Sequence, residues 1–165
     1  MSEQERYQIA FDWGVDGAAA VGGDIVVWVD ALGDAPVPVD ALGARDVVRG
    51  DLRTAASVAR WVRDRQLALG VRQRIAVIAA GARRGERMRY AVEDQLASGA
   101  IIAELGALGI DATSPEAAVA EAGCRGLARA VGHLLTASVS AGETPPAPGV
   151  AKADPRAAVD VLRAP

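Results

Sequence analysis

The sequence predicts an α/β protein, a three-layer α/β/α arrangement around a mostly parallel sheet. Two apolar stretches, Asp24–Leu32 (DIVVWVDAL) and Arg74–Ala80 (RIAVIAA), read as buried strands. The run Ile25 to Val29 is continuous rather than alternating, as in a strand covered on both faces. Strand-like and helix-like segments alternate along the chain, which favours a layered sheet with crossover helices. The composition agrees: 51% of residues are hydrophobic but only 4% aromatic, so the core is built from small and branched side chains.

Tyr7–Trp13 (YQIAFDW) reads as the first strand, closed by Gly14 and Gly17. Asp24–Leu32 is the second, ended by Gly33-Asp34. Pro36 and Pro38 argue against a central strand in Ala35–Asp51, although Val47-Val48 can form a short one before Gly50. Arg53–Leu69 carries a helical stripe of Ala56, Ala59, Val62 and Leu67, with Gly70 as its stop. Arg74–Ala80 is the third clear strand, and a second long helix is expected over about Glu86–Leu108. Ser114-Pro115-Glu116 supplies an N-cap, a first-turn proline and an early acid. The following helix is expected to reach Ser138, with a break near Gly123. Gly142–Pro155 reads as a Pro- and Ala-rich linker, and Arg156–Arg163 as one or two docked helical turns. The 165 residues thus divide into one α/β domain, 1–141, and a tail, 142–165.

The formal charge of −3 is mild and interspersed, with no basic stripe among aromatics, so no nucleic-acid partner is expected. Cys124 is the only cysteine, which excludes an internal disulfide and fits a reducing, cytoplasmic setting. The polar start MSEQERYQ has no signal core, and no apolar run reaches membrane-spanning length. His133 is the only histidine, so a multi-histidine metal site is excluded; its apolar helix favours packing over catalysis. Trp13, Trp28 and Trp61 read as core or interface residues.

Chemistry is expected where buried strands end. Asp30 lies at such an end, either facing a site or exposed in the turn. Glu93 and Asp94 are adjacent acids on the expected helix, about 100° apart, so they should not share a ligand symmetrically. Arg89, four residues before Glu93, can neutralise it across one turn, and Tyr90 stands in the same relation to Asp94. The turn Gly81-Ala82-Arg83-Arg84-Gly85 suits an anion through backbone N–H groups and guanidinium forks. It lacks both the P-loop Lys-Ser/Thr and the dinucleotide glycine spacing, which disfavours nicotinamide chemistry. Gly50-Asp51-Leu52-Arg53-Thr54, with Ser57 one turn on, is a second junction able to cap its helix or hold an oxyanion.

These segments resemble the 2-phosphosulfolactate phosphatase family. The likeness runs through FDWG at Phe11–Gly14, VVWVDAL in the second strand and GDLRTAASV at Gly50–Val58. It is strongest in AVIAAG followed by AVEDQLASGAII, with Glu93, Asp94 and Gly99 in the acidic block. Thr113–Ala117 (TSPEA) and HLLTAS fit as well. The resemblance implies a magnesium-dependent phosphatase that releases phosphate from 2-phospho-3-sulfolactate within coenzyme M synthesis. It implies Asp30, Glu93 and Asp94 as catalytic, with Asp30 and Asp94 holding Mg2+. It also implies that Arg53, with nearby backbone N–H groups, holds the anionic substrate; together with the two anion-suited junctions the expected substrate-binding set is Gly50, Arg53, Thr54, Ser57, Gly81 and Arg83. The substrate is then a small phosphorylated or sulfonated acid. Two departures stand out: Gly33 occupies the position of the family's arginine, and Asp34-Ala35 replaces its Ser/Thr pair. The chain is also short between Leu32 and Gly50. A lapsed homologue that binds an anion or a partner without turnover is the rival expectation. Arg45 or Arg49 filling the vacant arginine position would favour the enzyme. A homo-oligomer is a further expectation, since a shortened sheet can leave an apolar edge to cover.

Overall fold

The computed structural model describes residues 2–33 and 36–164. The pair Asp34-Ala35 therefore lies outside the described residues. In chain order the elements are β1 (Ile9–Trp13), α1 (Gly14–Val21), β2 (Ile25–Val29), a 3-10 turn (Val39–Leu42), β3 (Asp46–Gly50) and α2 (Ala55–Leu69). Then follow β4 (Ile75–Ala79), β5 (Ala82–Arg84), β6 (Arg87–Arg89), α3 (Val92–Ala107), α4 (Pro115–Gly126), α5 (Val131–Ala137), α6 (Val139–Glu143) and β7 (Asp160–Arg163).

The main sheet has the order β1-β4-β2-β3-β7. Its first four strands are parallel, and β7 runs antiparallel to β3. This is the expected three-layer α/β/α class. One face, with Ile9, Phe11, Ile25, Val27, Val29, Val48, Ile75 and Val77, packs against the side of α2 and α3. The other, with Ala10, Val26, Trp28, Val47, Ala76 and Ile78, packs against α1 and the 3-10 turn. Burial on both faces is why these strands read as unbroken apolar runs.

Register places the strand ends on one line. Trp13 pairs with Ala79, Ala79 with Val29, and Val29 with Gly50. The residues that follow each strand therefore share one rim of the sheet. At the opposite rim, fully buried Asp46 receives Arg65 through two hydrogen bonds of 2.9 Å. Edge strand β1 is sealed along its outer side. Gln4 receives the Phe11 N–H on Oε1 and donates Nε2–H to the Phe11 carbonyl, both at 3.1 Å. The Ile9 N–H donates to Ala112 O and the Ser114 N–H to Ile9 O, while Asp12 Oδ1 receives the Trp13 N–H. Such capping blocks pairing with another chain.

Four expectations are corrected. Gly14 and Gly17 do not merely close β1; they open helix α1. Gly14 turns the chain at φ +63°, and a Cβ on Gly17 would stand 2.7 Å from Asp12 Oδ1. The long helix begins at Val92, not near Glu86, because Arg84 pairs with Arg87 across a turn at Gly85, φ +62°, to make a hairpin. The helix after Ser114 is three helices, broken after Gly126 rather than at Gly123. The tail ends in strand β7, not in helical turns, because Asp160–Arg163 pairs antiparallel with the edge of β3.

Candidate functional site

The rim at the strand ends carries a cleft of about 280 Å³ between β2, β4 and the start of α3. Asp30, Gly33, Gly81, Arg83, Glu93 and Asp94 all line it, with Ser140, Glu143 and Thr144 closing one side. Five of the expected site residues, Asp30, Gly81, Arg83, Glu93 and Asp94, thus meet in one place, drawn from three separate stretches of chain.

Asp94 is the organising side chain. It sits in the first turn of α3, where the helix dipole favours an acid. Its Oδ1 accepts the Ala31 N–H at 2.8 Å and its Oδ2 accepts the Gly81 N–H at 2.9 Å. One carboxyl group therefore ties the loop after β2 to the loop after β4. Burial pushes this carboxyl up to about 7, helped by the neighbouring Asp30 and Glu93 charges and opposed by the two N–H donors. Asp30 Oδ1 accepts the Gly33 N–H at 2.6 Å and so closes its own turn. A Cβ on Gly33 would stand 2.1 Å from Asp30 Oδ2, so a side chain here would displace the Asp30 carboxylate from its present position. Glu93 is buried beside Asp94, and its Oε2 has no hydrogen-bond partner among the described residues.

Arg89 does not neutralise Glu93 across a helical turn, because it belongs to β6. Its Nη2 donates to Ser140 Oγ at 2.7 Å, pinning the hairpin to α6. Tyr90 likewise stands before the helix and meets Trp13 edge-on, with ring centroids 4.9 Å apart.

The second junction does not join the cleft lining. Gly50 lies beside Val29 and faces Ile101 and Val27. Thr54 and Asp51 bond each other: the Thr54 N–H donates to Asp51 Oδ1 at 2.7 Å, and the Asp51 N–H to Thr54 Oγ1 at 2.9 Å. Ser57 is buried and donates to the Pro155 carbonyl, while the exposed Arg53 accepts the Asp154 N–H on its carbonyl. This cluster closes the turn that leads into α2 and fastens the tail.

Neither arginine proposed for the vacant position reaches the cleft. Arg45 bonds Asp46 and Gln73 at the opposite rim, and Arg49 pairs with Asp160 of β7 at 3.7 Å. Arg83 is the cationic residue of the described lining, against Asp30, Glu93, Asp94 and Glu143. Ser140, Glu143 and Thr144 went unread in the sequence. Their one signal is the helix start at Ser138, whose Oγ accepts the Ala141 N–H. His133 is exposed on α5, and Cys124 is half-buried against Gly99 with its thiol pushed up by burial.

No helix among the described residues is long and apolar enough to cross a membrane. No protein-family model and no curated protein matches the chain.

Proposed function

We propose that this chain is a magnesium-dependent phosphatase-like protein acting on a small phosphorylated acid such as 2-phosphosulfolactate. The observation that carries this reading is the acidic lining of the cleft, where Asp30, Glu93, Asp94 and Glu143 meet one guanidinium, Arg83. A doubly anionic substrate cannot enter such a cleft unless a cation offsets the carboxylates.

Among the described residues, no three Asp, Glu, His or Cys side chains stand close enough to hold a metal alone. Magnesium does not require that: it commonly binds through one or two carboxylates, its own waters and substrate phosphate. The donor set fits that mode. Asp30 and Asp94 would hold the ion, and Glu93 Oε2 is buried with no hydrogen-bond partner among the described residues. When bound, magnesium neutralises phosphoryl oxygens and orients the ester. Arg83 binds the anionic group opposite the acids. Glu93, which lines the cleft, takes a proton from the attacking water as its oxygen bonds phosphorus and returns that proton to the departing ester oxygen. Asp94 keeps both flanking loops in place through the Ala31 and Gly81 N–H groups. Positioning and charge neutralisation account for most catalysis of phosphoryl transfer.

The test is phosphate release by purified protein from 2-phosphosulfolactate and from a generic monoester, across metals and pH. Release above blank with magnesium supports the reading; none under any condition rejects it.

A second reading is a binder without turnover. It is favoured by Gly33, which supplies no guanidinium at the position of the family's arginine, and by the engagement of Arg45 and Arg49 elsewhere. It predicts thermal stabilisation by magnesium with phosphate, and no hydrolysis.

A further inference from the structure

We propose a second, separate anion site at the opposite rim of the sheet, selective for a phosphate-type oxyanion. A cavity of about 160 Å³ there is lined by Arg6, Arg72 and Arg74 together with Glu5, Tyr7 and Gln8. Gln8 immediately precedes β1 and Arg74 immediately precedes β4. The cleft at the other rim lies a five-residue strand away, roughly 16 Å.

Two of the three guanidinium groups are held in place from one side. Arg72 Nε donates to Gln8 Oε1 at 2.8 Å. Gln8 Nε2 is itself fixed by Gln66 Oε1 at 2.8 Å and the Gln73 carbonyl at 3.2 Å. Arg74 Nη2 donates to the Val21 carbonyl at 2.8 Å and to Ser2 Oγ at 3.3 Å. Arg6 lies over the Tyr7 ring, 5.0 Å from its centroid. These contacts occupy a minority of the five N–H groups each guanidinium carries. Arg74 Nε is buried with no acceptor among the described residues.

Three arginines and one acid, Glu5, line this cavity, so its lining is net cationic and an anion would offset that charge. Guanidinium forks match the oxygens of phosphate in paired hydrogen bonds, and pre-held forks lose little freedom on binding. The volume holds about five waters, enough for a small oxyanion but not for a nucleotide.

The experiment is a titration of the full chain with inorganic phosphate, followed by NMR of the arginine Nε–H signals. Saturable shifts of Arg72 and Arg74 are expected. The double variant Arg6→Gln/Arg72→Gln should weaken half-saturation about tenfold, as expected for lost charge-assisted hydrogen bonds. Arg83→Gln should leave these shifts unchanged, which separates this site from the cleft. Phenyl phosphate forms a second arm: equal saturation assigns a phosphate ester as ligand, and saturation by inorganic phosphate alone assigns the free anion. Absent or non-saturating shifts would overturn the proposal, as would equal shifts with chloride at matched ionic strength. So would a double variant that binds as the wild type does.

Discussion

Asp94 Oδ1 accepts the backbone N–H of Ala31 at 2.8 Å, across 63 positions of sequence. Its other oxygen takes the Gly81 N–H, so one buried carboxyl spans the two loops that form the cleft. Replacing it with Asp94→Asn leaves one acceptor for two donors. The unmatched buried N–H should cost about 1–3 kcal/mol, read by urea unfolding, and magnesium-dependent activity should be lost with it.

The same carboxyl makes stability depend on pH. In the unfolded chain it releases its proton near 3.9, whereas in the fold it holds the proton up to about 7. Folding therefore takes up a proton between those values. Its contribution is fully present below about pH 4 and is lost as pH rises to about 7, by at most about 4 kcal/mol. Wild-type Tm should fall over that window, and Asp94→Asn should flatten the profile. Because a metal must displace this proton, magnesium should raise Tm more at pH 8 than at pH 6.

Gly99 marks where α3 and α4 meet most closely. A Cβ there would stand 2.2 Å from the Ala120 carbonyl oxygen and 2.7 Å from Cys124 Cβ. Gly99→Ala should force the helices apart and destabilise the fold by about 1–3 kcal/mol. Gly106→Ala on the same helix meets nothing within 4 Å and should be neutral or slightly stabilising. Paired urea melts compare them directly.

The tail is expected to matter for folding. β7 covers the edge of β3, and Arg163 bonds Asp40 and the Ala44 carbonyl. Truncation after Ala158 uncovers a strand edge of the kind that recruits other chains. Light scattering should show the truncated chain associating under conditions where the full chain does not.

Much of the central sheet was legible because burial on both faces leaves an unmistakable apolar run in β2 and β4. Asp30 was legible as an acid following a buried strand, and Glu93 and Asp94 as adjacent acids on the helix after the next strand. What the sequence hid was set by contacts distant along the chain. Gly17 reads as part of a strand stop, yet it lies in helix α1 and is small because Asp12 packs onto it. Arg89 has helical spacing to Glu93, but the turn at Gly85 diverts it into a hairpin and on to Ser140. The Gly50–Ser57 segment has the residues of an oxyanion site, but they serve one another and the tail. Local pattern does not distinguish a cap from a ligand site when the same hydroxyls suit both.

The most direct test of the account is magnesium-dependent phosphate release from 2-phosphosulfolactate, measured in parallel for wild type, Asp30→Asn and Arg83→Gln. Wild type should release phosphate only with the metal. Asp30→Asn should lose that activity, and Arg83→Gln should retain it with substrate affinity weakened about tenfold. A wild type that releases no phosphate above blank would contradict the account, as would an Asp30→Asn variant that works as well as wild type.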